Sequence, residues 1–235
     1  MINDISQANI ASTLLVDKPK GWTSFDVVNK IRWSIRNKWQ IKKIKVGHAG
    51  TLDPMATGLL IICTGKKTKT IDQLQGLDKT YTGTIHLGAT TPSYDAETEI
   101  DQEFPTAHIA PEDIQKAAQD FMGKSMQEPP MFSAIQKDGV RLYKLAREGK
   151  TVDRPLREIN ISEFEILNVQ MPEVGFKVSC SKGTYIRSLA FDLGKTLDSG
   201  GYLTSLCRTR IGTHSLDDAY QLDDLIEAIA TLQTN

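Results

Sequence analysis

The sequence predicts an α+β fold built on a mixed, mostly antiparallel sheet flanked by helices. Stretches of alternating apolar residues and stretches of helical period follow one another without the regular strand–helix alternation of a parallel α/β chain. The 235 residues contain no internal repeat and no low-complexity tract. At 40% hydrophobic and 24% charged, the composition is that of an ordinary packed globular chain. That length suits one large domain or two subdomains sharing a core. We expect a single domain over 1–235, with a protruding thumb-like segment at 124–158 and a short helical tail at 213–235.

Taken in order, "STLLVDKPKG" reads as a short strand at Leu14, Leu15 and Val16 that ends in a turn at Pro19 and Gly21. "TSFDVVNKIRWSIRN" opens with Thr23 and Asp26 at capping-box spacing, and Phe25, Val28, Ile31 and Ile35 recur at helical intervals. "TYTGTIHLGATT" alternates as a strand, with Tyr81, Gly83, Ile85 and Leu87 on one side. "PEDIQKAAQDFMG" predicts a helix with Pro111 near its start and Gly123 at its end. From about Lys124 to Glu158 proline and basic residues dominate, with a short helical piece around Leu142 to Arg147. A connection that long in a compact chain is usually functional or disordered. "FKVSC" predicts a strand, and "GTYIRSLAFDLGKTL" a helix capped by Thr184, with Ile186, Leu189, Ala190, Leu193 and Leu197 turned to a core. "GYLTSLCRTRIG" predicts a strand and "LDDLIEAIATL" a closing helix.

Net charge is −1, but its distribution is uneven. No acid lies between Asp26 and Asp53, while Lys30, Arg32, Arg36, Lys38, Lys42, Lys43 and Lys45 all fall there. The tail reverses this with Asp217, Asp218, Asp223, Asp224 and Glu227. Such asymmetry fits one face that meets a polyanion. Charge alone is equally consistent with a solvated helix face. Cys63, Cys180 and Cys207 form no CxxC pair and read as small buried residues of a reducing cytoplasm, which argues against a zinc site. "MINDISQANIAST" has neither a basic flank nor an apolar core, so no secretory signal is expected, and the Leu59–Cys63 run is too short to span a bilayer.

"VGHAGTLDPMATGLL", residues 46 to 60, is glycine, alanine, threonine and aliphatics around a single carboxylate. Asp53-Pro54 matches a helix N-cap followed by proline, and also a turn start. Against capping, Gly58 follows within about one turn, and Pro54 biases Asp53 toward extended backbone. Gly47 and Gly50 permit unusual backbone angles and the close approach of a ligand. A Walker A loop fails at Leu60 and Lys67, and no G-x-S-x-G or nucleophile context surrounds the four histidines. A two-carboxylate glycosidase stays open by pattern.

Five blocks carry a resemblance: "LLVDKPKGWTS", "VGHAGTLDPMATGLL", "DKTY", "PPMFSAIQKDGVRLYKLAREG" and "CSKGTYIRSLAFDLG". In that order and spacing, over roughly residues 12 to 212, they resemble the TruB family of tRNA pseudouridine synthases. The resemblance implies the pseudouridine synthase fold and isomerisation of uridine 55 in the tRNA T-loop, without cofactor or metal. It implies a cytoplasmic enzyme acting on the T-arm stem-loop, with no membrane association and no obligatory protein partner. By position, Asp53 matches the catalytic aspartate, His48 the histidine of a GH-x-G motif, and Tyr81 the tyrosine that packs on the target base. Tyr185 and Arg187 match the active-site pair of "KGTYIR", and Leu206 the apolar residue lining the uracil pocket. Lys18 and Pro19 match a pair that buttresses the catalytic loop. Ala49, "TTPSYD" and Cys207 depart from the family pattern, though Arg208 is retained. The chain stops near 235, which leaves no room for the C-terminal RNA-binding domain of many members.

Pseudouridine formation breaks the ribose C1′–N1 bond, turns the base and rejoins it through C5. The target must be flipped out of its stack first. Asp53 then attacks C1′, attacks C6 or removes a C2′ proton; the sequence does not choose. All three need an ionised carboxylate in a site that excludes water, hence a cationic partner, and Arg187 suits that role. Tyr81 would stack on the uracil and help move the C5 proton, and the His48 ring would take the place the flipped base vacates. The thumb-like segment and the basic helix would grip the RNA arm by shape and phosphate. Two other readings are a guided, dyskerin-like enzyme of the same fold, against which the compact chain speaks, and a non-catalytic RNA-folding chaperone.

Overall fold

The computed structural model describes residues 11–232, so the expectation for residues 1–10 of the N-terminal stretch lies outside the described residues. The elements in chain order are β1 Thr13–Lys18, α1 Ser24–Trp39, β2 Val46–His48, β3 Thr57–Thr64, α2 Ile71–Gln75, β4 Lys79–Leu87, β5 Ala89–Thr90, β6 Gln102–Glu103, α3 Pro111–Asp120 and β7 Gly123–Gln127. They continue with β8 Gln136–Lys137, β9 Val140–Arg141, α4 Leu142–Arg147, β10 Arg157–Gln170, β11 Glu173–Cys180, α5 Ile186–Thr196, β12 Gly201–Ile211, β13 His214–Ser215, β14 Tyr220–Gln221 and α6 Leu222–Thr231. This is the α+β mixture expected. No helix among the described residues is long and apolar enough to cross a membrane.

The chain forms two compact units, one of residues 1–81 with 206–235 and one of residues 82–205. In the first, β1 pairs antiparallel with β3 from Thr13↔Cys63 to Lys18↔Gly58. β14 adds to β1 in parallel, β2 pairs antiparallel with β3, and β12 meets β3 in parallel at Cys207↔Thr57 and Arg208↔Gly58. The unbroken run Leu59–Cys63 is explained by burial on both faces of the sheet. Leu60 and Ile62 join Leu14, Val16 and the inner faces of α1 and α6, while Leu59, Ile61 and Cys63 pack with Leu15, Ala49 and Ile211. Each such aliphatic side chain contributes about 1.5–3 kcal/mol by leaving water.

α1 has the expected start. Thr23 is its N-cap, Asp26 N–H donates to Thr23 Oγ1 at 3.1 Å, and Thr23 N–H donates back to Asp26 Oδ2 at 2.9 Å. Its buried stripe, however, is Val27, Val28, Ile31, Ile35 and Trp39, and Phe25 is 59% exposed. The apolar period begins two residues later than expected, because Ser24 takes the inward position in the first turn.

In the second unit the strand order is β12-β4-β11-β10-β7, with β10 antiparallel to both β11 and β7. Phe164 and Phe176 meet edge-on across β10 and β11, with ring centroids 6.0 Å apart. α3 packs on β10 through buried Ile114, Ala117 and Ala118. α3 stops at Asp120, and Gly123 starts β7 with φ +90° instead of closing the helix. β7 pairs with Arg157–Ile161, so the connection expected from residue 124 begins as a sheet strand and leaves the sheet only after Gln127. The short helix around Leu142 to Arg147 forms as α4. Tyr185, not Thr184, is the N-cap of α5; the Thr184 hydroxyl donates to the Ser181 carbonyl at 3.0 Å. The predicted inner face of α5, from Ile186 to Leu197, is buried throughout. Cys63 and Cys180 are buried, but Cys207 is only half-buried.

Candidate active site

Residues 46–60 fold as strand, loop and strand. β2 ends at His48, and Ala49 N–H donates to the Ile61 carbonyl at 2.8 Å. Gly50 takes φ +109°, as a glycine there allows. Gly47 does not need such an angle: it lies in β2, and a Cβ on it would stand 2.8 Å from Ile71 Cδ1. Ala56 N–H donates to the Asp53 carbonyl at 3.1 Å, which closes a turn with aspartate first and proline second. No helix follows, so capping does not account for Asp53. β3 then starts at close quarters with β12: Gly58 has φ +99°, and a Cβ would fall 2.4 Å from the Arg208 carbonyl oxygen. Ala49 is fully buried among Leu15, Leu59, Ile61 and Ile211, a setting with no use for a hydroxyl.

Two buried cations brace this loop. Lys18, 0% exposed, points Nζ at the carbonyls of Trp22 (2.6 Å), Pro19 (3.0 Å) and Pro54 (3.3 Å). Arg208, 1% exposed, donates Nε to Leu59 O at 2.8 Å, Nη2 to Gly50 O at 3.1 Å and Nη1 to Thr51 O at 3.4 Å. Between them, the Ser24 hydroxyl accepts from Leu52 N–H at 2.9 Å and donates to Leu52 O at 3.2 Å. The carbonyls of residues 50, 51, 52 and 54 are thus all held, and Asp53 sits between them with two positive charges bonded to its own loop. Burial, and then the Arg208 charge, push the His48 imidazole below its usual 6.5, which favours the neutral ring.

The Lys18 brace was legible in the sequence, whereas the parts played by Arg208 and Ser24 were missed. Their signal was positional. Arg208 follows Leu206 at strand alternation on the buried face of β12, where a charge needs fixed partners. Tyr81 and Leu206 are both buried, on β4 and β12 respectively, and the Thr209 hydroxyl ties these strands by donating to Thr80 O at 3.3 Å. His48, Asp53, Tyr81 and Leu206 therefore all belong to the first unit, on β2, the loop before β3, β4 and β12.

Tyr185 and Arg187 belong to the second unit, at the start of α5. Arg187 is buried and donates to Ser93 O at 3.0 Å and to Phe132 O at 2.8 Å, with Nε 3.5 Å from Asp95 Oδ2. Asp95 is itself buried, and its Oδ1 accepts from Glu97 N–H at 3.0 Å and from the Ser93 hydroxyl at 2.5 Å. The "TTPSYD" departure thus supplies an acid for Arg187 that sequence reasoning did not assign. Arg157 lies over the Tyr185 ring at 5.3 Å. Ser188 Oγ donates to Glu128 O at 2.8 Å, and Glu128 pairs with Arg154 at 2.9 Å, so the two ends of the connection between β7 and β10 are joined. Among the described residues, no three His, Cys, Asp or Glu side chains gather as a metal set.

A family model described as TruB family pseudouridylate synthase (N terminal domain) matches residues 36–186, a span that includes His48, Asp53, Tyr81 and Tyr185 and stops one residue before Arg187. The tRNA pseudouridine synthase B of Flavobacterium johnsoniae is 56% identical over 210 residues, covering 89% of this chain and 92% of that protein. The protein of the same name from Phocaeicola vulgatus is 53% identical, covering 91% of each. A solved Cbf5–Nop10–Gar1 complex contains a chain 27% identical that superposes with a TM-score of 0.68, over 92% of this chain and 53% of that one. This protein therefore spans about half the length of that solved chain. A structure of an H/ACA RNP bound to a substrate RNA containing 2′-deoxyuridine gives 26% identity and a TM-score of 0.67. The loop with its single braced carboxylate, the fold and these likenesses agree: the chain belongs to the TruB family of pseudouridylate synthases.

Proposed function

We propose that this protein converts uridine 55 in the T-loop of tRNA to pseudouridine in the cytoplasm, with Asp53 as the catalytic carboxylate. The observation that carries the reading is the clamping of the Asp53 loop by Lys18 and Arg208, which fixes one acid on a short turn. A carboxylate held in that way loses little motion on reaching the reacting atoms, which is how a fixed geometry lowers a barrier. Uridine and pseudouridine have the same atoms, so the exchange of a C–N for a C–C bond balances without any redox or energy cofactor.

In this reading Tyr81 stacks on the flipped uracil beside Leu206, a contact of about 1–3 kcal/mol. Its hydroxyl helps carry the proton lost from C5 when the new bond has formed. The neutral His48 ring fills the gap left in the loop stack. Tyr185 borders the base, and Arg187 supplies the positive charge that the reacting centre needs. In this reading residues 1–235 act as one catalytic domain, and the connection between β7 and β10 and the basic residues 30–45 grip the stem by its phosphates.

The test is tritium release from C5-labelled uridine in whole tRNA, a T-arm hairpin and a linear RNA of the same loop sequence. Shape recognition predicts similar rates on tRNA and hairpin and little on the linear strand. It also predicts binding that weakens steeply with salt, because each neutralised phosphate releases counterion. Equal rates on hairpin and linear RNA would overturn shape recognition, and reaction on whole tRNA alone would show that contacts beyond the T-arm are required.

A further inference from the structure

The outer face of α1 carries two large aromatic rings that pack on nothing in the core. Phe25 is 59% and Trp33 62% exposed, while Val27, Val28, Ile31 and Ile35 on the other side of the helix are buried. Residues 25, 29 and 33 are four apart, so Phe25, Asn29 and Trp33 form one stripe along the helix. At about 1.5 Å per residue the two rings stand about 12 Å apart, too far to clamp one base between them. They would serve separate nucleotides.

Charge and position suggest what the stripe meets. Arg36 is exposed and Lys30 partly so on this helix, and exposed Lys42, Lys43 and Lys45 follow it, with no acid between Asp26 and Asp53. Asp26 is committed to the helix cap through Thr23 N–H and, at 2.6 Å, the Thr23 hydroxyl. A shallow cavity of about 400 Å³ lined by Gly21, Trp22, Asp26, Asn29 and Lys30 opens beside the stripe. The first turn of α1 is fastened to the catalytic loop: Ser24 holds both polar atoms of Leu52, and Gly21 N–H donates to Pro54 O at 2.8 Å. The start of α1 is therefore fixed to the loop that carries Asp53. The core of a protein–protein interface is depleted in lysine, whereas aromatic rings among cations suit unpaired nucleic acid.

We propose that the outer face of α1 is an RNA contact, with Phe25 and Trp33 stacking on unpaired nucleotides that flank the target uridine while Lys30, Arg36 and the lysines after the helix hold phosphates. This inference rests on the proposed action on an RNA loop, so its test reads binding separately from chemistry. Hairpin affinity is measured by filter binding for wild type, Phe25→Ala, Trp33→Ala and the double variant, with melting curves to show that each stays folded. Base–aromatic stacking predicts that Kd rises roughly 5- to 150-fold for each ring removed. Phe25→Trp and Trp33→Phe should restore affinity. Leu167→Ala, an equally exposed apolar residue on β10, should leave Kd unchanged. Wild-type affinity in the double variant overturns the proposal, and if a self-association is lost at the same time the stripe is an interface between copies instead. A wild-type protein that binds the hairpin without converting uridine overturns the enzymatic reading alone, because the Kd comparison is unaffected.

Discussion

Gln127 holds both backbone polar atoms of Tyr185: its Nε2 donates to the Tyr185 carbonyl at 3.0 Å, and its Oε1 accepts from the Tyr185 N–H at 2.8 Å. The amide stands in for a strand partner at a helix start that has no side-chain cap of its own. Gln127 is also the last residue of β7, so this pair fixes the start of α5 to the root of the connection that follows.

Gln127→Leu would keep the volume and strip away both bonds. It should cost about 1–3 kcal/mol of stability, the penalty for leaving a buried donor or acceptor unpaired. Gln127→Glu retains the acceptor but sets a buried carboxylate oxygen against the Tyr185 carbonyl, so at neutral pH it should be at least as destabilising as Leu. Urea midpoints check this, and a Leu variant as stable as wild type would show that the pair does not anchor α5.

Arg187 donates to the carbonyls of Ser93 and Phe132 and pairs with the carboxylate of Asp95. A lysine ammonium is a point charge and cannot reproduce that fork. Arg187→Lys should therefore lose both stability and most activity. Asp95→Ala, which takes this carboxylate away from a buried cation, should cost up to about 3–5 kcal/mol. Denaturation midpoints with single-turnover rates test both, and full activity in Arg187→Lys would show that the fork is not needed.

His48 is held below the ordinary imidazole value first by burial and then by Arg208. In the folded state the ring thus protonates at a lower pH than in the unfolded chain, which binds the proton first on acidification. Its contribution to stability is full above about 6.5 and is lost as pH falls from there through the lowered folded value. An NMR titration of the His48 ring should give a midpoint under 6.5, and Arg208→Met should move it upward, though not past 6.5, because burial remains. An unchanged midpoint would mean that the Arg208 charge does not reach the ring.

His48→Ala removes a ring that fills space and leaves the chemical groups in place. A misplaced target base costs on the order of 10²-fold, so single-turnover chemistry should fall by about that much and by less than in Asp53→Asn. Equal losses in the two variants would give His48 a direct part in the reaction.

Much of this was legible in the chain because local rules governed it. Thr23 and Asp26 announced the start of α1, and the alternation of Tyr81, Gly83, Ile85 and Leu87 announced β4. The loop at Asp53 stood out because small residues surround one acid. What the sequence concealed depends on partners far along the chain. Arg208 braces carbonyls more than 150 positions away, and Asp95 meets Arg187 from about 90 positions away, and no periodicity records such pairs. Phe25 was assigned to the core because its spacing fitted, and the inward Ser24, pinned to Leu52, shifted the buried stripe. At α5, Thr184 had the right residue type for a cap, but Gln127 of β7 already occupied the backbone of Tyr185.

The claim that Asp53 carries the chemistry is tested most directly by Asp53→Asn on a T-arm hairpin with C5-tritiated uridine. The amide keeps the size of the side chain and cannot act as nucleophile or base. The variant should melt like wild type, bind the hairpin with similar Kd and release no tritium. Tritium release at the wild-type rate would contradict the account and return Asp53 to the role of a turn residue.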